Sequence, residues 1–385
     1  MTLRVHPAAA VRSPGAVSEA ERLPSRRPGA ERALRSVGGA TRLALAALAV
    51  TVAVGRADGA ARLLDGLEAR LSLGYDSNLL DASAGDRAAF ASRDPGSLFV
   101  VSAMDDKFVE GEGRYEWRVP AARAARPTVK LAYLRRQYLA NPIKSADRYS
   151  LGVQVRLGGS NRASARLEFQ PTIYERHRSN DDAQPGEPIF RPQVQRRTDW
   201  NAGVAHAFAA GTSIRASVTG SLRDERPPFD ARDRNLLGGE AGVAQSLPWS
   251  SHVTLDAGYT RTRSRNDPLS PTDLSNREWT VSSAWQARSA RLAVALDVAV
   301  EVGWRRYTSS DPADATHFGR RDRRTEVVVG ISRPLGGWFT SVTRVTSRSN
   351  VANLPVGATD EDSFSNIEIE SGIGWTPTAK RKTTP

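Results

Sequence analysis

The chain has 385 residues, 39% of them apolar and 25% charged, with 31 Gly, 22 Pro and no Cys. The apolar share is too high for a chain disordered throughout, and the missing cysteine excludes a disulfide framework, a thiolate metal site and a cysteine nucleophile. A mean hydropathy of −0.43 with one long apolar run excludes a helical membrane bundle, whereas a secreted soluble protein and a β-barrel, half apolar per strand, both survive. Lys and Arg number 54 against 42 acids, a formal charge of +12, and residues 1–60 hold nine Arg and four acids, or +5 of it. The remaining Arg are scattered at alternate positions among acids, without the aromatic-interleaved basic cluster that nucleic acid requires, so no nucleic-acid partner is expected.

The first element is a dozen apolar residues from Leu43 to Val54, preceded by Arg35 and Arg42 and followed by Ala57-Asp58-Gly59-Ala60. This pattern predicts a secretory signal peptide within a leader at 1–60, too short in its apolar stretch to span a bilayer. Beyond residue 68 the periodicity is two. Leu151, Val153, Val155 and Leu157 alternate with Ser150, Gly152, Gln154 and Arg156. From Leu292 to Trp304 one face is apolar while Arg291, Asp297, Glu301 and Arg305 occupy the other. Such a run extends about 40 Å, longer than ordinary half-buried strands.

Fourteen segments follow this rule, at 69–79, 97–118, 128–138, 147–157, 162–173, 196–208, 212–223, 237–247, 251–261, 276–288, 290–305, 323–333, 337–348 and 364–375. None of the stretches between them carries an apolar helical stripe. The connections alternate. Long ones at 80–96, 139–146, 174–195, 224–236, 262–275, 306–322 and 349–363 are rich in Asp, Arg, Asn, Pro and Ser. Short ones lie at 119–127, 158–161, 209–211, 248–250, 289 and 334–336, the one-residue case requiring its flanking strands to give up a residue or two. Strand length and loop alternation together predict an all-β fold, a single closed antiparallel meander barrel over 61–375. It would cross an outer membrane with short periplasmic turns and long outer loops. A basic tail, 376–385, follows it.

Parity then assigns side chains to two solvents. Arg114, Glu116, Arg118, Arg148, Arg156, Arg166, Glu168, Arg215, Asp256, Glu278, Arg288, Asp297, Glu301, Arg305, Glu368 and Glu370 are expected to line a lumen of mixed sign. Tyr75, Trp117, Tyr149, Trp200, Tyr259, Trp279, Trp285, Trp304, Trp338 and Trp375 lie near strand ends, where aromatic girdles meet the headgroups. Catalytic chemistry is thin. His177, His206, His252 and His317 share no metal-ligand spacing and read as surface residues, no cofactor or metal is expected, and G-x-S-x-G is absent beyond the leader. Glu368 and Glu370, about 7 Å apart along one strand face, have the spacing of an acid–base pair but serve equally as lumen carboxylates. Asp181-Asp182 and Asp360-Glu361-Asp362 lack the twelve-residue calcium-loop pattern. No enzyme is expected.

At Leu73-Gly74-Tyr75-Asp76-Ser77-Asn78 the chain resembles the first strand of a diffuse group of bacterial outer-membrane β-barrel proteins. Some of these stand alone, and others form the barrel of polysaccharide- or surface-lipoprotein-export proteins, often after a periplasmic helical-repeat domain. Here only about eight residues separate Ala60 from the first strand, which disfavours the export reading. Such barrels generally close on a terminal aromatic, and Trp375 supplies one before the tail. The resemblance implies the outer membrane as location, with lipid, lipopolysaccharide and the barrel-assembly machinery as partners. The leading expectation is a passive, porin-like channel for small polar solutes. The alternative is the outer-membrane component of an exopolysaccharide or surface-lipoprotein export system, which would need a periplasmic partner.

Overall fold

In a computed structural model, the structure describes residues 66–92, 101–119, 127–179, 190–208, 211–265, 273–312, 314, 317–353 and 363–377. The expected leader, the acidic patches at 181–182 and 360–362, and most of the basic tail lie outside the described residues. Fourteen strands run in chain order: β1 Leu67–Asp76, β2 Asp106–Arg118, β3 Thr128–Tyr138, β4 Ala146–Arg156, β5 Asn161–Ser179, β6 Phe190–Ala207 and β7 Thr212–Glu225. They continue as β8 Arg234–Leu247, β9 Ser251–Ser264, β10 Asn276–Ser289, β11 Val294–Tyr307, β12 Arg321–Gly336, β13 Phe339–Asn353 and β14 Phe364–Trp375. Each strand pairs antiparallel with its sequence neighbours. β1 closes the ring on β14, in register from Ala69 opposite Trp375 to Asp76 opposite Glu368. Closure leaves no unpaired strand edge, as a β-structure must in hydrocarbon.

The alternation read in the sequence is the alternation of the wall. Leu73, Leu255 and Ile331 stand on the exterior at 66%, 51% and 49% exposure, while Asp256, Glu278 and Glu370 face inward and are buried. A water-soluble protein would have to hydrate that apolar exterior at about 25 cal/mol per Å². Lipid removes the cost. No described helix is long and apolar enough to cross a membrane, so the strands do the crossing.

Four boundaries differ from expectation, each for a local reason. The segment expected at 97–118, too long for one clean strand and expected to break near Asp105-Asp106, becomes a strand at Asp106, whose carboxylate accepts the backbone N–H groups of Ala140 (3.0 Å) and Asn141 (2.7 Å). The connection expected at residue 289 is a four-residue turn, 290–293, so β11 starts at Val294 and Leu292 is exposed in the turn. Ala293 there takes φ +49°, and a one-residue link cannot close an antiparallel pair. The turn expected at 334–336 shifts onto Gly336 and Gly337, whose φ values of +106° and +58° favour glycine, and β12 reaches them through a bulge after Pro334. β5 and β6 extend far into the connection expected at 174–195, pairing as far as Ser179 opposite Phe190, with irregularities at Gln170/Ile173 and Tyr174/His177.

An unexpected helix, α1 (Ala84–Ala91), lies in the first long connection. It carries no apolar stripe, and is started by a capping box in which Ser83 and Asp86 exchange side-chain and backbone hydrogen bonds of 3.0 and 3.2 Å.

Candidate functional site inside the barrel

The site begins where β1 leaves the wall. A Cβ on Gly74 would sit 2.1 Å from the Phe108 ring, so glycine here lets the inward Phe108 lie flat across β1. Asp76 accepts hydrogen bonds from the Tyr138 hydroxyl (3.0 Å) and the Asn78 backbone N–H (3.1 Å). Asn78, fully buried, donates to the carbonyls of Ala82 and Ser365 (both 2.9 Å) and accepts from the Ala82 N–H (2.8 Å). Ser77 bonds the Ile367 backbone in both directions. The Gly74–Asn78 stretch is therefore a fastened bend that directs the first connection over the mouth.

Behind that bend Leu79, Leu80, Ala82 and Val101 pack on the inward Phe108, Tyr138 and Tyr174, with Phe90, Met104 and Val194 at the margin. This is the apolar core of the described residues, and it lies at the long-loop end of the barrel rather than between layers. Lys144 closes one flank, donating to the Tyr174 carbonyl at 2.9 Å. Burial pulls its ammonium below the usual lysine range and pushes the Asp81 carboxyl up, each opposed by the other's charge.

Beneath the cluster the wall is ionic. The Arg136 guanidinium stacks 4.1 Å from the Phe108 ring centre, donates to Glu110 at 2.8 Å and grips Glu368 with two bonds of 2.9 Å. Glu370 accepts from Arg70 (2.5 Å) and Ser72 (2.6 Å). Both carboxylates of the candidate acid–base pair are thus held by guanidinium groups. Arg70, Glu110, Arg136, Glu368 and Glu370 border a cavity of about 770 Å³ that also takes in Arg114, Glu116, Arg148 and Arg166. Glu168 stands between Arg148 (3.3 Å) and Arg166 (2.8 Å). Further round the ring Arg215 meets Asp256, and Glu278 is shared by Arg305 (2.7 Å) and Arg324 (3.5 Å). Glu301 lies directly across from Glu326, a cavity residue, which puts Asp297 on the same inward face. Arg118, Arg156 and Arg288 sit at the short-turn ends of β2, β4 and β10.

The expected aromatic residues fall into two rows. Tyr75, Tyr149, Tyr259, Trp279 and Trp304 lie toward the long connections, Trp117, Trp285, Trp338 and Trp375 toward the short turns, and Trp200 falls near the middle of β6. Tyr259 and Trp279 touch at 4.6 Å between ring centres, and Trp338 and Trp375 at 6.3 Å. Sequence reasoning missed the inward Arg70, Glu110 and Arg136, although the same parity on β1–β3 marks them. It also missed the mouth cluster, which has no period to read.

Two histidines expected on the surface are buried. His177 bonds the Tyr174 hydroxyl at 2.7 Å, and His317, 5% exposed, contacts Asp314 at 3.0 Å beside the Tyr307 ring. Burial lowers the His317 imidazole below its ordinary range and outweighs the opposing pull of Asp314. An unfolded loop therefore takes up a proton at higher pH than the folded one. The stability His317 contributes is complete above about pH 6.5 and is lost as pH falls below it. Hydrogen-exchange protection around His317 is expected to fall between roughly pH 7 and pH 5, and His317→Gln to flatten that profile. A wild-type profile already flat would contradict the assignment. Among the described residues no three His, Asp or Glu side chains are grouped to hold a metal.

No protein-family model matches the sequence, and no curated protein matches it. Among solved structures the chain is similar to a bacterial polysaccharide outer-membrane secretin (10% identity, TM-score 0.39, covering 81% of this chain and 99% of that one). It is also similar to the CymD monoaromatic hydrocarbon channel (8%, TM-score 0.42, 82% and 90%) and to an anion-selective porin from Comamonas acidovorans (6%, TM-score 0.33, 80% and 98%). These likenesses concern the fold. The closed ring, apolar exterior and charged interior are the architecture of a bacterial outer-membrane β-barrel, and the outer membrane is its location.

Proposed function

We propose that the protein is a passive channel for small polar solutes, narrowed at its outer mouth by the first connection. The observation that carries this reading is the charged cavity beneath the Leu79–Phe108–Tyr174 cluster. Fourteen strands enclose more width than wall side chains can fill, and the interior is lined by ions rather than by an apolar core. One stretch of wall biases the sign of the solute. Arg197, Arg223 and Arg234 are direct cross-strand neighbours on the inward face. Arg197 pairs with Asp199 and Arg234 with Glu175, while Arg223 has no salt bridge among the described residues and feels Glu175 only at longer range. A guanidinium without a close counter-ion on the lumen wall favours anions.

Planar-bilayer recordings of refolded protein test the reading. Wild type is expected to give discrete steps with reversal potentials displaced toward anions, and Arg223→Gln to reduce that displacement. Phe108→Ala removes the ring on which the first connection rests and is expected to raise unit conductance roughly two-fold or more. Repeated insertions without discrete steps, in wild type and in Phe108→Ala alike, would end the open-channel reading.

A further inference from the structure

The exterior of the barrel carries a feature that lumen chemistry does not use. Arg261 on β9, Arg277 on β10, Arg306 on β11 and Arg321 on β12 are direct cross-strand partners of one another in that order. They share the outward face with Trp279 and Trp304, which stand two residues nearer the short turns and are 62% and 49% exposed. Arg263 and Arg323 flank the row on the same face, Arg323 directly opposite Trp304. All six guanidinium groups are exposed, and none has an acid or hydrogen-bond partner among the described residues. The acids on these strands, Asp256, Glu278, Asp297, Glu301, Asp322 and Glu326, have the opposite parity and face inward. Among the described residues, the outward face of these four strands therefore presents positive charge alone.

Strands lie about 4.8 Å apart, so four like charges in register repel one another and destabilise the sheet unless anions sit between them. Elsewhere on the exterior the protein supplies its own counter-charge. On β6 and β7 Arg196 meets Asp224 at 2.9 Å, and on β3 and β4 Arg135 meets Asp147 at 2.9 Å. On β9–β12 it supplies none among the described residues. The row lies at the end bearing the long connections, beside Tyr259, Trp279 and Trp304 on the same face. Toward the short turns that face continues as exposed Leu255, Val281 and Val300. An anion meeting the row must therefore sit at the top of the lipid layer, on the outer side. Arginine is suited to it, because its planar fork binds phosphate by two parallel hydrogen bonds.

We propose that Arg261, Arg277, Arg306 and Arg321, flanked by Arg263 and Arg323, form a docking site for the phosphate groups of a phosphorylated glycolipid of the outer leaflet. The lipid's acyl chains would lie on the apolar exterior of β9–β12. The inference rests on the membrane location and the outward direction of the long connections, and not on the channel reading.

Native mass spectrometry of the detergent-purified, refolded full chain tests it, with bisphosphorylated lipid A as the probe. Dephosphorylated lipid A, phosphatidylcholine and inorganic phosphate are the comparison probes. Wild type is expected to retain lipid A and to discriminate against the dephosphorylated form and phosphatidylcholine by about tenfold or more. The quadruple variant Arg261→Gln/Arg277→Gln/Arg306→Gln/Arg321→Gln is expected to lose that preference, and the matching Arg→Lys variant to keep part of it. Heat-modifiable migration verifies assembly of each variant. Should the quadruple variant fail to assemble, Arg277→Gln/Arg306→Gln gives the same comparison at the centre of the row. Equal retention of lipid A by wild type and the Gln variant would overturn the proposal. So would equal binding of both lipid A forms, or inorganic phosphate displacing lipid A at equal concentration. Loss of conductance with lipid binding intact would count against the channel alone.

Discussion

Replacing Arg136 with methionine is expected to cost the barrel about 3–5 kcal/mol, the penalty for stranding buried charge. Arg136 lies between Glu110 and Glu368, which are 8% and 10% exposed at their side chains, and no other cation bonds either one among the described residues. The variant leaves two carboxylates facing each other across the space the guanidinium filled and takes the cation from the Phe108 ring. Urea unfolding in detergent, followed by migration on unboiled gels, would show a lower midpoint. Adding Glu110→Gln and Glu368→Gln to the Arg136→Met chain should recover most of the loss, since the same atoms then carry no net charge. An unchanged midpoint in the single variant would mean that water solvates these groups separately and that the ion bridge contributes little.

Val298→Arg is expected to impair assembly by roughly 2–4 kcal/mol, the cost of a guanidinium on the lipid face near the bilayer midplane. Val298 lies midway between the 290–293 turn and Trp304, opposite Trp285 on β10 and Val329 on β12, all on the outward face. Its neighbour Asp297 lies on the inward face opposite Gln286 and Gly330, so Asp297→Asn should assemble normally and alter ion selectivity at most. Spin labels separate the two faces, position 298 relaxing with a lipid-soluble quencher and position 297 with a water-soluble one. The reverse result would invert the register of β11. Water access at both positions would refute a membrane barrel.

Most of the wall was legible before any coordinates, because strand periodicity is local. Leu151, Val153 and Val155 declare a face without reference to any other strand, and Glu301 and Arg305 declare the other. The extensions were not legible. In β5, Gln170 to His177 break alternation at two irregularities, and in β6 Arg191 and Gln193 look like loop residues. Above the lipid, backbone pairing continues without an apolar face to announce it. The two buried histidines were misjudged for a related reason. A loop that folds on itself, as Tyr307, Asp314 and His317 do, buries polar residues without a repeating signal.

What the amino-acid sequence determined by itself was the architecture and its two solvents: fourteen strands, long connections at one end, charge inside and apolar side chains outside. Each follows from residues a few positions apart, where the two-residue repeat of the pleat acts directly. What only the tertiary structure decided was which charges meet and where the mouth narrows. Arg70 reaches Glu370 across 300 positions because β1 closes on β14, and Arg136 reaches Glu368 across 232 because the ring brings β3 beside that seam. The six-residue Leu73–Asn78 stretch was visible as a motif, but its work is to bend a connection onto Phe108 and Tyr138, residues far along the chain. The exterior arginine row has the same origin. Arg261, Arg277, Arg306 and Arg321 are scattered in the sequence and become neighbours through ladder register, which hydrogen bonding between whole strands sets.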